Sequence, residues 1–315
     1  MNVSRVFLSS TFLDFVWERE TLNLEIVPEI NTALAAKGRR IDLLDLRWGV
    51  SREAGLDNFA VDICLNEIRR SAVSGARPFF MYLGSTRAGW KPCPRVLSRD
   101  RYEVLLNALS QDAGGSELIA RLYTPDQNFR EPSYVLRSRR NFEAPDGDTW
   151  ERAEEKLCNL VADNRGRLPE DLVRDFLTPV TIKEVELGLD LVESDPKRLA
   201  AMWREERGTF FSHLTSSANP KGNGGGEEWE MHVSNAFRDA GVTLEHLVRN
   251  GPKDKAYRTK FAEWAREKLL RAAADESEET KSFHDHARPG LAGDVPMVQR
   301  ECLAPVQKAM EATDR

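Results

Sequence analysis

Short, nearly unbroken apolar runs alternate along the chain with longer segments in which apolar residues return every three or four positions. The first run lies in RVFLSS (5–10), after which Phe12, Phe15, Val16, Ile26, Val27, Ile30 and Leu34 recur at helical spacing until Lys37-Gly38. This predicts a strand entering a helix that Ser10 or Thr11 caps. Pro28 falls inside the helix, where a proline forfeits a hydrogen bond, so a kink or break is expected there. IDLLDLRW (41–48) reads as a second strand, apolar enough to be covered on both faces. A helix over 57–72 carries one apolar stripe through Phe59, Ile63 and Ile68, and SGARP ends it before PFFMYLG (78–84), the third strand. Three strand–helix units in succession imply a parallel sheet joined by right-handed crossovers.

The pattern breaks over 85–178, a stretch rich in Pro, Arg, Asp and Asn with helical segments near 100–112 and 150–163. It reads as an insertion decorating the sheet. Regularity returns with TPVTIKEVELGLDLVE (178–193), whose TPVT start and acidic first turn suit a helix N-terminus. RLAAMWRE (198–205) is the expected fourth strand. KGNGGGEE (221–228) has no Lys-Ser or Lys-Thr after its glycines, which predicts a flexible loop rather than a phosphate cradle. A helix over 227–240, a fifth strand VTLEHLV (242–248) and a helix over 254–274 bearing Tyr257, Phe261, Trp264, Leu269 and Leu270 follow. The expected fold is α/β, an open parallel five-stranded sheet flanked by helices, with a large insertion and a helical C-terminal extension. Its parts are residues 1–90, the insertion 91–177, the second half 178–274 and the extension 275–315.

Composition changes this picture little. The 315 residues are 41% hydrophobic and 30% charged, an ordinary globular mix. Lys and Arg total 45 against 51 Asp and Glu, which argues against a protein that coats phosphate backbones, although SRDR (98–101) and RSRR (137–140) are locally basic. No apolar run is long enough to span a membrane, and the N-terminus lacks the pattern of a signal peptide, so a cytoplasmic protein is expected. Cys64, Cys93, Cys158 and Cys302 form no CxxC pair and are expected to be reduced thiols. His284-Asp-His286 is not a helical ligand spacing, so no metal is expected, and no catalytic triad can be assembled.

Several blocks together resemble the DUF4062 family. They are SSTFLDF with ERE (9–20), VPE (27–29), DLRWGV (45–50), ICLNEI (63–68), PFFMYLG with Arg87 and Gly89-Trp90, and VTIKEVELGL (180–189). That family is a TIR-like, flavodoxin-like module at the front of NACHT/WD-repeat, telomerase-associated and nephrocystin-type proteins. The resemblance implies a signalling or assembly module that works through protein partners or self-association. Because the chain has no GxxxxGK[ST] motif, it is expected to stand alone or to act beside a separate NTPase or repeat protein.

In an open parallel sheet, ligands bind beyond the carboxyl ends of the strands. Ser9 and Ser10 end the first strand, Arg47 and Trp48 the second, and Gly84 with Arg87 the third, while Glu184 falls in the first turns of the 178–193 helix. Hydroxyls, backbone amides, an arginine, an indole and a carboxylate together suit a nucleotide. TIR domains that cleave NAD use a glutamate at the start of the corresponding helix, and Thr181-Ile-Lys-Glu184 resembles that arrangement. One carboxylate can stabilise an oxocarbenium-like state or attack it. Glu184 is favoured and Glu186 is the alternative, since two residues on a helix point about 200° apart and only one can face a cleft. NAD would then be a substrate, with no cofactor required. Plainer roles stand beside these: Glu184 as a macrodipole partner, Ser9 and Ser10 as caps, Arg47 and Trp48 as closure of the sheet end, and Glu67 as a solvated charge. The readings are thus an assembly module, an NAD or nucleoside-type hydrolase, and, disfavoured by the charge balance, a nucleic-acid binder.

Overall fold

The computed structural model describes residues 2–11, 14–46, 55–87, 89–142, 149–207 and 226–273. In chain order the first half runs β1 (Asn2–Ser10), α1 (Val16–Thr21), a π-helical turn (Leu22–Ile26), α2 (Val27–Ala35), β2 (Arg39–Leu44), α3 (Ala60–Val73) and β3 (Phe80–Gly84). The inserted stretch holds β4 (Val96–Ser98), α4 (Arg99–Leu109), α5 (Gly115–Leu122), β5 (Tyr123–Asp126), β6 (Ser133–Leu136), α6 (Trp150–Asp163) and α7 (Glu170–Leu177). The second half is α8 (Val180–Asp190), β7 (Leu199–Glu206), α9 (Gly226–Asp239), β8 (Leu244–Arg249) and α10 (Lys255–Ala272).

Five strands form one parallel sheet in the order β2-β1-β3-β7-β8. Every residue of the central strand β3 is buried, as a strand covered on both faces must be. Phe80 packs against Gly188 of α8 and Tyr82 against Phe237 of α9. Arg204 of β7 turns to the opposite face and meets Glu18 of α1. Gly84 ends β3 where no side chain fits: a Cβ there would lie 2.5 Å from Trp203 and 2.6 Å from the Tyr82 ring. Residues 93–176 enclose a second apolar cluster, with Leu105, Leu109, Ile119, Leu157 and Phe176 at its centre. Its walls are the antiparallel sheet β4-β6-β5 and four helices. Helices α4 and α6 lie where the sequence predicts helices, whereas the three short strands, α5 and α7 carry too little periodicity to be seen there.

Two local expectations need correction. The irregularity at Pro28 is a π-helical turn that ends just before it, with Pro28 in the first turn of α2, where a missing N–H costs least. Neither Ser10 nor Thr11 caps the helix, because α1 starts only at Val16. Ser10 Oγ instead accepts from Arg19 Nε at 2.9 Å, and Thr11 Oγ1 donates to Asp14 at 2.6 Å.

Helix α1 carries two adjacent charges into the interior. Glu18 is fully buried, ion-paired with Arg204 at 2.8 Å, and accepts from the Tyr257 hydroxyl of α10 at 2.6 Å. Arg19, 1% exposed, pairs with Asp45 beyond β2 and donates to the Ser10 carbonyl at 2.9 Å. Removing one member of such a pair strands a charge out of water. Arg204→Met is therefore expected to cost about 3–5 kcal/mol in denaturant unfolding. Glu18→Leu with Arg204→Met is expected to recover part of that loss, since no charge is then left unpaired. Gly84→Ala should cost about 1–3 kcal/mol by overpacking against Trp203 and Tyr82, measured in the same way.

Candidate functional site

Strand alternation decides what the end of β1 can offer. Ser9 and Ser10 are neighbours, so their side chains leave opposite faces of the sheet. Ser9 Oγ points to α8 and donates to Glu184 Oε2 at 2.5 Å. Ser10 Oγ points to α1 and is taken by Arg19. The two hydroxyls that sequence places in one constellation are thus held in two networks.

Glu184 is the fifth residue of α8 and 5% exposed, and the first turn of that helix holds no acidic residue. The macrodipole acts mainly within the first turn, so it does not account for this position. Burial raises the Glu184 pKa to about 7, while hydrogen bonds from Ser9 and from the Cys64 thiol, and the charge of Arg19, hold it down. The carboxylate in turn works with burial to raise the thiol of Cys64 and the phenol of Tyr82 above their ordinary values. Gly89, in the left-handed region at φ 91°, lies against Thr11 and Thr181, where a Cβ would come within 3.3 and 3.4 Å. The Trp90 carbonyl accepts from Val180 N at 2.9 Å, so the segment after β3 closes over the start of α8. The site is a buried Ser9–Glu184–Cys64 group, bordered on the other side of the sheet by Ser10, Arg19, Asp45 and Asn23.

The other candidates are dispersed. Arg87 pairs with Asp14 at 3.3 Å near the surface. Gly84 serves the packing of Trp203 rather than an approach to a ligand. Glu186 points away from Glu184, pairs with Arg174 at 2.8 Å, and lines a separate cleft of about 900 Å3 that neither Ser9 nor Glu184 reaches. Arg47, Trp48, His284 and His286 lie outside the described residues. Glu67 is no solvated surface charge: it bridges Arg5 of β1 at 2.8 Å and Arg70 at 2.6 Å. In the two basic runs, Arg101 is held by Asp175 at 2.7 Å and Arg140 by Asp57 at 3.1 Å, so part of their charge is already neutralised. Sequence reasoning missed Cys64, Glu18, Arg19 and Asp45. A signal for Glu18 and Arg19 was present, because both fall on the apolar stripe of their helix. Among the described residues no three His, Cys, Asp or Glu side chains are placed to hold a metal, and no helix is long and apolar enough to cross a membrane.

The raised carboxyl makes stability depend on pH. An unfolded glutamate releases its proton near 4.5, whereas Glu184 keeps it to about 7. The folded state therefore binds more protons between those values, so its contribution is full below pH 4.5 and lost as pH rises through 7. The loss is about 1.4 kcal/mol per pH unit, roughly 3 kcal/mol across the window. Glu184→Gln should remove this dependence. Unfolding at both ends of the window is expected to show the variant gaining on the wild type as pH rises.

Comparison with known proteins gives partial relatives. The chain is 30% identical over 119 residues to NACHT domain- and WD repeat-containing protein 1 of Mus musculus, covering 38% of this chain and 8% of that protein. It is 31% identical over 186 residues to the Homo sapiens protein of that name, covering 56% of this chain and 11% of the relative. It is 33% identical over 88 residues to telomerase protein component 1 of Rattus norvegicus, covering 28% and 3% respectively. The chain thus spans only 3% to 11% of the length of these relatives. No family model matches it, and no solved structure does. It is homologous, at about 30% identity, to a segment of NACHT/WD-repeat and telomerase-associated proteins.

Proposed function

We propose that the chain is a TIR-like assembly module of the DUF4062 type, acting in the cytoplasm through protein partners or self-association beside a NACHT-type NTPase. One observation carries this reading against catalysis. Glu184, the carboxylate best placed by fold for glycosidic cleavage, is closed off and already engaged by Ser9 and Cys64. A catalytic carboxylate must come within about 3 Å of the reacting atom, and this one is only 5% exposed. The β2-β1-β3-β7-β8 order is the flavodoxin-like arrangement that TIR-like modules share. The homology to NACHT/WD-repeat proteins adds the company in which such a module works.

A second reading, an NAD glycohydrolase or nucleoside-type hydrolase, is favoured by one specific feature. A carboxyl with a pKa of about 7, bound to a serine at the carboxyl ends of parallel strands, has the proton affinity of a general acid. This reading requires the segment after β3 to lift from Thr11 and Thr181. NAD consumption at high protein concentration, compared with Glu184→Ala and Glu186→Ala, separates the two. The expected result is no turnover by any of the three proteins, together with concentration-dependent association in sedimentation velocity. Turnover that Glu184→Ala alone abolishes would replace the module reading with the hydrolase.

A further inference from the structure

The cleft of about 900 Å3 lies between the sheet domain's helices and the inserted stretch, away from Glu184. Three helices wall it, each with one stripe. Val61, Leu65 and Arg69 follow at four-residue steps along α3; Lys183, Leu187 and Asp190 lie along α8; and Glu170 and Arg174 lie along α7, with Thr178 just past its end. Residues four apart share a helix face, so the cleft is a slot between three helix faces, the shape that receives a fourth helix. Two turns of helix, a cylinder about 10 Å wide and 11 Å long, displace roughly 850 Å3. The floor is half-buried and apolar, formed by Val61, Leu65 and Leu187.

The lining holds seven carboxylates against four cations, and Arg101 and Arg139 behind it pair with Asp175, Asp171 and Glu154, so the remaining negative charge sits at the rim. Three of the cations are engaged within the protein, and the fourth, Arg69, is exposed and donates to Asn66 at 3.2 Å. Arg174 is held by Glu186 at 2.8 Å, Arg95 by Asp62 at 2.6 Å, and Lys183 Nζ donates to the Asp175 carbonyl at 2.8 Å. Burial also lowers the proton affinity of Lys183. Glu170 and Asp190 are exposed at the rim, and neither forms a salt bridge among the described residues. An apolar floor under an acidic rim complements a helix with an apolar stripe flanked by Lys and Arg.

We propose that this cleft docks a basic amphipathic helix of a partner protein, its apolar face on Val61, Leu65 and Leu187 and its cations on Glu170 and Asp190. The proposal rests on the assembly reading and gives that module a partner of stated chemistry. The probe is a fluorescein-labelled peptide of about four helical turns, with Leu at helical spacing and Lys elsewhere, followed by fluorescence anisotropy. A peptide of the same residues, rearranged to break the spacing, is the control. The ordered peptide is expected to bind about tenfold more tightly than the control and to weaken about tenfold with Glu170→Lys plus Asp190→Lys, two exposed positions. Equal binding of both peptides, binding unchanged by the double substitution, or displacement of the peptide by a small ligand alone would overturn the proposal. Sedimentation separates the two levels. Assembly by a wild-type protein that fails to bind the ordered peptide would sink the cleft and leave the module reading standing. Cleft-dependent peptide binding by a protein that never assembles would do the reverse.

Discussion

The architecture depends on helix α1 being tied to the sheet by two charges that point in different directions. Glu18 reaches β7 through Arg204 and α10 through Tyr257, while Arg19 reaches the ends of β1 and β2 through Ser10 and Asp45. One helical turn thus holds three of the five parallel strands and the last helix in register. Apolar packing alone would let α1 slide, because dispersion and burial are non-directional. Paired charges out of water have large penalties for misalignment, so they specify position even where their net contribution to stability is small.

The same feature explains why the carboxyl ends of the strands are occupied before any ligand arrives. In many open sheets this crevice is left for a nucleotide. Here Ser10 is held by Arg19 on one face, Ser9 by Glu184 on the other, and Gly84 by the rings of Trp203 and Tyr82. On the proposed assembly reading, function moves from the crevice to surfaces, first among them the slot that the inserted stretch makes with α3 and α8.

The parallel sheet was legible because buried parallel strands read as continuous apolar runs, and RVFLSS, PFFMYLG and RLAAMWRE are such runs. The inserted sheet was not, since strands of three and four residues are shorter than any reliable period. Among site residues, Glu184 could be named from its place after the insertion, but not its partner Cys64, which comes from a different helix and carries no local sign of that contact. Ser9 and Ser10 could be named together from the end of the strand. Their separation onto opposite faces follows from the period of two, and it becomes meaningful only when α1 and α8 are known to cover different sides. Phe15, Arg19, Leu22 and Ile26 occupy one stripe, and the charge within it was the visible mark of the buried tie.

The π-helical turn between α1 and α2 stores one residue more than an α-helix would need over the same rise. That surplus sets the angular phase between the two halves of the long helix. Without it the helix could still run on past Pro28, but α1 would be rotated by about 100° relative to α2. Ile30 and Leu34 would keep their seats while Glu18 and Arg19 swung off theirs. The turn is therefore a phase adjuster: it lets a single helix obey the apolar spacing of its C-terminal half and the ionic geometry of its N-terminal half at once.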